Sequence, residues 1–186
     1  MNTSVEPSAL VVIDAQVGVL GSVWDSKRII GNIESLLAKA RDSGTPVLWI
    51  QHSDEELVYG SDDWKLVPNF RLAAADPVVH KKYNSAFAET ELEPKLKELG
   101  VKRLVLAGAL TNWCMRSTAY SALDRGYDLV IANDAHSTVD LQVRPGHVVA
   151  AKDIVDEFNS VMQWVSVPNV LIKSMSSSEV SFPLRQ

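Results

Sequence analysis

Short, wholly apolar runs recur along this chain, separated by patterns of helical period, and that alternation limits its possible folds more than any other feature. Ala9-Leu10-Val11-Val12-Ile13 is a continuous apolar run rich in β-branched residues, as expected of a strand covered on both faces. Ile29, Ile33, Leu36, Leu37 and Ala40 then share one helical face that ends near Gly44. Further strands are expected over residues 46–51, 78–80, 103–107 and 129–132, with a candidate edge strand at 170–172. Thr90 and Glu93 have the spacing of a capping box ahead of the stripe Leu92, Leu96, Leu99. Met115, Ala119, Ala122 and Leu123 mark a helix stopped by Gly126, and residues 146–161 read as the last helix. This order predicts an α/β domain, a parallel sheet with helices on both faces.

The length of 186 residues suits one domain spanning 1–186. Eighteen Lys and Arg against 23 Asp and Glu leave a net charge of −5, which offers no basic footprint for nucleic acid or an anionic membrane. The first apolar run stops at Asp14, too short for a signal peptide or a span, and the single Cys excludes an internal disulfide. The expectation is a soluble, cytoplasmic chain with no nucleic-acid or membrane partner.

In parallel sheets, ligands sit beyond the carboxyl ends of the strands. Those ends carry Asp14 and Gln16, His52, Lys81, the segment from Gly108 to Cys114, and the segment from Asn133 to His136. Thr111 is a candidate N-cap, which would put Cys114 in the first turn of a helix, where unpaired N–H groups favour a negative sulfur. A carboxylate ending an apolar strand must cap, pair or do chemistry. Asp14, Lys81 and Cys114 therefore form a candidate set of base, cation and nucleophile on three strand ends. None of the four His has a spacing that singles it out, and His147 falls inside the predicted last helix. The stretch from His52 to Asp76 has no clear period, as expected of a functional loop.

Three segments carry a resemblance to a known family: residues 10–16 (Leu-Val-Val-Ile-Asp-Ala-Gln), residues 79–87 (Val-His-Lys-Lys-Tyr-Asn-Ser-Ala-Phe) and residues 107–114 (Ala-Gly-Ala-Leu-Thr-Asn-Trp-Cys). With Ser117-Thr118-Ala119, Gly126-Tyr127 and Asn133-Asp134-Ala135-His136-Ser137, they run in order to about residue 140. In these the chain resembles the isochorismatase-like cysteine hydrolases, the family of nicotinamidases and N-carbamoylsarcosine amidohydrolases. The resemblance implies a three-layer, Rossmann-like domain with a six-stranded parallel sheet, and a catalytic triad falling on Asp14, Lys81 and Cys114. Lys81 is preferred to Lys82 because its distance to Phe87 matches the family's spacing. The resemblance also implies a non-proline cis peptide at Ala109–Leu110, with the backbone N–H groups of Leu110 and Cys114 facing an oxyanion. The implied chemistry is cleavage of a small-molecule amide through a thioester, with Asp14 taking the thiol proton and Lys81 and the helix terminus stabilising the thiolate. Isochorismatase-type vinyl-ether hydrolysis, or ligand binding without catalysis, are the alternatives.

The chain departs from the nicotinamidases at their metal ligands, an Asp-x-His plus a further His just after the second strand. The matching place reads His52-Ser53-Asp54, and no other His precedes His80. Two ligands make a weak site where a catalytic zinc takes three, so no metal and no other cofactor is expected, nor nicotinamide as the main substrate. The loop around Tyr59-Gly60-Ser61 and Trp64 resembles that of a metal-free, nicotinamidase-related subgroup. Gln16, Trp24, His52, Tyr83, Phe87 and Trp113 are the expected pocket residues, and the family habit implies a homo-oligomer.

Overall fold

The computed structural model describes residues 6–184. Six strands form one parallel sheet: β1 (Ser8–Ile13), β2 (Val47–His52), β3 (Val78–Lys81), β4 (Arg103–Ala109), β5 (Asp128–Ser137) and, after a small hairpin, β8 (Ile172–Met175). Their spatial order is β3-β2-β1-β4-β5-β8, with every pairing parallel. The order reverses between β1 and β4, which opens a crevice at their carboxyl ends.

The continuous apolar run of β1 is explained by its central place: all six residues are buried. Ala9, Val11 and Ile13 join the core on one face, shared with α3 (Leu92–Glu98), α4 (Arg116–Asp124) and α5 (Ala151–Met162). Leu10 and Val12 join the other, against Ile29, Ile33, Leu36, Leu37 and Ala40 of α2 (Ser26–Asp42). Each such aliphatic side chain contributes about 1.5–3 kcal/mol by leaving water, so this face of α2 alone anchors the helix firmly. A short α1 (Val17–Leu20) precedes it.

Three local expectations are corrected. Residues 146–149, expected as the start of the last helix, instead close a hairpin of β6 (Leu141–Arg144) and β7 (His147–Val149), turning at Gly146 with φ 75°, and the helix begins at Ala151; the Pro145-Gly146 dipeptide is a turn signal. His147 therefore lies exposed on a strand. The Thr90–Glu93 capping box does not form, because Thr90 Oγ1 donates to the Ala86 carbonyl and Glu93 pairs with Lys97 and Arg125. The edge strand begins two residues later than the apolar run suggests. Among the described residues no helix is long and apolar enough to cross a membrane.

Candidate active site

Where β1 ends, Asp14 takes φ 49°, in the left-handed region that residues with side chains rarely occupy, while its N–H donates to the Ile50 carbonyl at 2.9 Å. Opposite Ile13 in the ladder stands Gly108, with φ 123°. A Cβ on Gly108 would lie 1.9 Å from the Ile13 carbonyl oxygen, so only glycine lets β4 close on β1 at the point where both chains leave the sheet.

Three side chains meet just beyond. Lys81, the last residue of β3, donates from Nζ to Asp14 Oδ2 at 2.9 Å, to Cys114 Sγ at 3.1 Å and to His52 Nδ1 at 3.3 Å. An ammonium has three protons, and here each has an acceptor. Asp14 and Lys81 are each 2% exposed and Cys114 8%. The second carboxylate oxygen, Asp14 Oδ1, is buried and accepts no hydrogen bond among the described residues. The residues expected as base, cation and nucleophile thus share one buried cluster, and the Ala109–Leu110 peptide is cis.

Cys114 sits in a π-helical turn, Thr111–Met115, that runs straight into α4. Thr111 is not the N-cap: Leu110 holds that place, and Thr111 Oγ1 instead donates to His136 Nδ1 at 2.9 Å. The other ring nitrogen of His136 donates to Asn159 Oδ1 at 2.9 Å, and Asn159 Nδ2 donates to the Asn133 carbonyl. His136 reaches this level because the β4–β5 register jumps from Leu106↔Ile131 to Gly108↔His136. Burial holds the imidazole neutral, with its pKa down at about 4. His136 is therefore a buttress of the turn that carries Cys114, not a proton carrier.

Burial also decides the state of the thiol. The helix terminus and Lys81 favour a negative sulfur, but removal from water, followed by the Asp14 charge, pushes the pKa of Cys114 up to about 12 against the pull of Lys81. Burial likewise raises Asp14 even though Lys81 opposes the shift. Lys81 is penalised by burial too, but Asp14 and Cys114 more than offset this and hold its pKa above the ordinary lysine value. The resting cluster holds a neutral thiol beside the Lys81 ammonium, which is paired with Asp14.

The cluster opens on a cleft of about 380 Å³ whose lining includes Asp14, Cys114, His52, Leu110, Trp113, Leu57 and the acidic residues Asp54, Glu56 and Asp63. Of the six expected pocket residues, His52 and Trp113 line it. The other four do not. Gln16 is fully buried and ties loop to sheet, donating to the His52 and Trp64 carbonyls and accepting from the His52 N–H. Phe87 is in the core beside Tyr127, with the Arg125 guanidinium over its ring. Trp24 is partly exposed under Arg28, and Tyr83 lines a separate cleft with His80 and Lys82. Glu56, Leu57 and Asp63 were missed, although the acidic runs Asp54-Glu55-Glu56 and Asp62-Asp63 were visible in the sequence.

The residues at the position of the nicotinamidase ligands do not suit a metal. His52 Nε2 donates to Asp54 Oδ2 at 3.0 Å, and its other nitrogen faces the Lys81 ammonium. Among the described residues no three His, Cys, Asp or Glu side chains are grouped to hold an ion, against the three or four that zinc takes.

Comparison with known proteins identifies the family and the fold. The Isochorismatase domain family model matches residues 8–165. A streptothricin hydrolase of Streptomyces noursei is 33% identical over 147 residues, 74% of this chain but only 57% of that protein, so this chain spans little more than half of its length. A secreted isochorismatase effector of Verticillium dahliae is 30% identical over 86% of this chain and 89% of its own. A maleamate amidohydrolase of Pseudomonas putida is 28% identical over 80% and 85%. Among solved structures, an isochorismatase from Pseudomonas putida superposes with a TM-score of 0.84 at 25% identity, covering 94% of this chain and 90% of that one. A cysteine hydrolase from Pseudomonas syringae shares the fold, with a TM-score of 0.84 at 19% identity over 93% and 90% of the two chains.

Proposed function

This chain belongs to the isochorismatase family, and from that premise we propose that it cleaves a small carboxamide, or a related C–N bond, through a thioester on Cys114. The observation that carries the reading is the contact of Lys81 Nζ with both Asp14 and Cys114, at 2.9 and 3.1 Å, on the wall of a cleft. Among relatives, the maleamate amidohydrolase and Nicotinamidase 3 of Arabidopsis thaliana bear amidase names, which favours amides over a vinyl ether.

The raised thiol pKa shapes the mechanism. A free thiolate is scarce, so the proton leaves Cys114 for Asp14 as the substrate carbonyl arrives. That transfer moves one negative charge from carboxylate to sulfur without changing the total, and Lys81 touches both ends of the path. The sulfur then bonds to the carboxamide carbon, and the backbone N–H groups of Leu110 and Cys114 receive the oxyanion. Next the C–N bond breaks, and the leaving amine takes the proton from Asp14. Water attacks the thioester, giving its proton to Asp14; the C–S bond breaks, and the sulfur recovers that proton. No step runs through a metal.

A screen of carboxamides, ureido acids and isochorismate, read by ammonia release and product mass, tests the proposal. The expected result is ammonia from one or more amides and its loss in Asp14→Asn. Turnover of isochorismate alone, undiminished in Cys114→Ala, would move the assignment to vinyl-ether hydrolysis.

A further inference from the structure

The cleft above Cys114 has a charge that the proposed chemistry does not require. Asp54, Glu56 and Asp63 line its rim, and no lysine or arginine is among the described residues that line it. Lys65, the lysine on the same loop, pairs with Asp62 at 2.7 Å. Deeper in, Asp14, 2% exposed, lines the same cleft, and its Oδ1 accepts no hydrogen bond among the described residues. Lys81 is already saturated by its three acceptors.

The rim is built rather than loose. Asp54 Oδ1 accepts the N–H groups of Glu56 and Leu57 at 2.9 and 2.7 Å. The far arm of the loop is fastened to α1: Gly18 N–H donates to the Asp63 carbonyl at 2.9 Å and Val17 N–H to the Lys65 carbonyl at 2.8 Å. A Cβ on Gly18 would stand 2.8 Å from Asp63 Cβ, so the glycine is what lets the loop lie so close. Trp113, 47% exposed, gives the same cleft an aromatic wall, a surface that also suits a cation.

We propose that this cleft selects amides carrying a positive charge, a primary ammonium or a guanidinium, on the part of the molecule remote from the scissile bond. The proposal rests on the amidase reading for the word amide, but the charge selection can be measured without turnover. An anionic substrate would meet these carboxylates with no lysine or arginine of the cleft lining, among the described residues, to pair with it. A cationic one would be drawn toward the acidic rim and guided toward the sulfur.

The sole cysteine supplies the test. Cys114 is labelled with 2-ammonioethyl methanethiosulfonate and with 2-sulfonatoethyl methanethiosulfonate, and each rate is divided by that of 2-mercaptoethanol under the same conditions. The expected cation-to-anion ratio is about tenfold or more at low salt. It should fall by roughly threefold or more in about 0.5 M sodium chloride and in a Glu56→Gln/Asp63→Asn double variant, whose changes are isosteric and exposed. The double variant separates the rim from Asp14, which sits beside the sulfur in either protein. A ratio of one or less in the wild type, or one that the double variant leaves unchanged, overturns the proposal. In parallel, 4-aminobutanamide, pentanamide and glutaramate form a matched cationic, neutral and anionic series. Faster turnover of glutaramate than of 4-aminobutanamide also overturns it. A cationic labelling preference with no hydrolysis of any amide upholds the charge selection and removes the amidase reading instead.

Discussion

Lys81 Nζ donates to Asp14 Oδ2 at 2.9 Å with both side chains withdrawn from water. A buried pair of this kind is costly to break from one side, because the survivor keeps its desolvation penalty without its partner. Lys81→Met or Asp14→Ala should each lower the unfolding free energy by about 3–5 kcal/mol. The Lys81→Met/Asp14→Asn double variant, which leaves no net charge behind, should lose less than the sum of the two single changes Lys81→Met and Asp14→Asn. Urea titrations complete the cycle; simple additivity would mean that the two residues do not depend on each other.

The thiol should be sluggish in the free protein. A pKa of about 12 leaves about one thiolate in 10⁵ molecules at neutral pH. Alkylation by iodoacetamide should therefore still be accelerating above pH 10. Asp14→Asn removes the negative neighbour that helps hold the proton on sulfur, so its alkylation profile should move to lower pH while turnover falls. A wild-type midpoint below pH 8.5 would show a preformed thiolate and a different resting state.

His136 should make the fold acid-sensitive. Its folded pKa of about 4 lies below the ordinary 6.5 because burial disfavours the charged ring. The unfolded chain then binds a proton that the folded chain refuses, so the group's stabilisation is complete above pH 6.5 and is lost as pH falls toward 4. The slope from this one residue is about 1.4 kcal/mol per pH unit within that window. His136→Gln should be less stable at pH 7 but flatter between pH 6.5 and 4, as read from denaturation midpoints. An equally steep slope in the variant would assign the acid sensitivity elsewhere.

Gly108 should tolerate nothing larger. Gly108→Ala combines a φ of 123° with a Cβ 1.9 Å from the Ile13 oxygen, so β4 must move away from β1 and carry the turn to Cys114 with it. Loss of several kcal/mol is expected, about 3 or more from overpacking and backbone strain together. Because Asp14 directly follows Ile13, activity should fall even below the melting temperature. A variant with wild-type stability would mean that the two strands are not held this close.

How much of this was readable from residues alone varied with the range of the forces involved. The apolar run of β1 and the helical stripe of α2 encode burial directly, because each is a local pattern cut to the shape of a central strand or a one-sided helix. The strand ends then placed Asp14, Lys81 and Cys114 on one rim. Contacts set by the long loop were not legible: Gln16, expected in the pocket, is consumed in holding Trp64 and His52, while the Glu56 N–H on the Asp54 carboxylate and the Asp63 carbonyl on Gly18 bring these residues to the rim by bonds that no period announces. Phe87, though only six positions from Lys81, turns inward to the core. The thiol's protonation state is not legible in the sequence for a related reason. A helix start and a lysine argue for a thiolate, but the depth of burial and the nearness of Asp14, which outweigh them, exist only in the folded chain.

The most direct test of the central claim is the mass of the protein during turnover. Once an amide that releases ammonia is in hand, the reaction is stopped in acid within a turnover and the intact chain is weighed. The account predicts a species heavier by the acyl group, mapped to Cys114, that disappears as substrate is exhausted and never forms in Cys114→Ala, whose activity should drop by at least about 10³-fold. Product formation with no acylated chain, together with activity in Cys114→Ala within about tenfold of wild type, would contradict it.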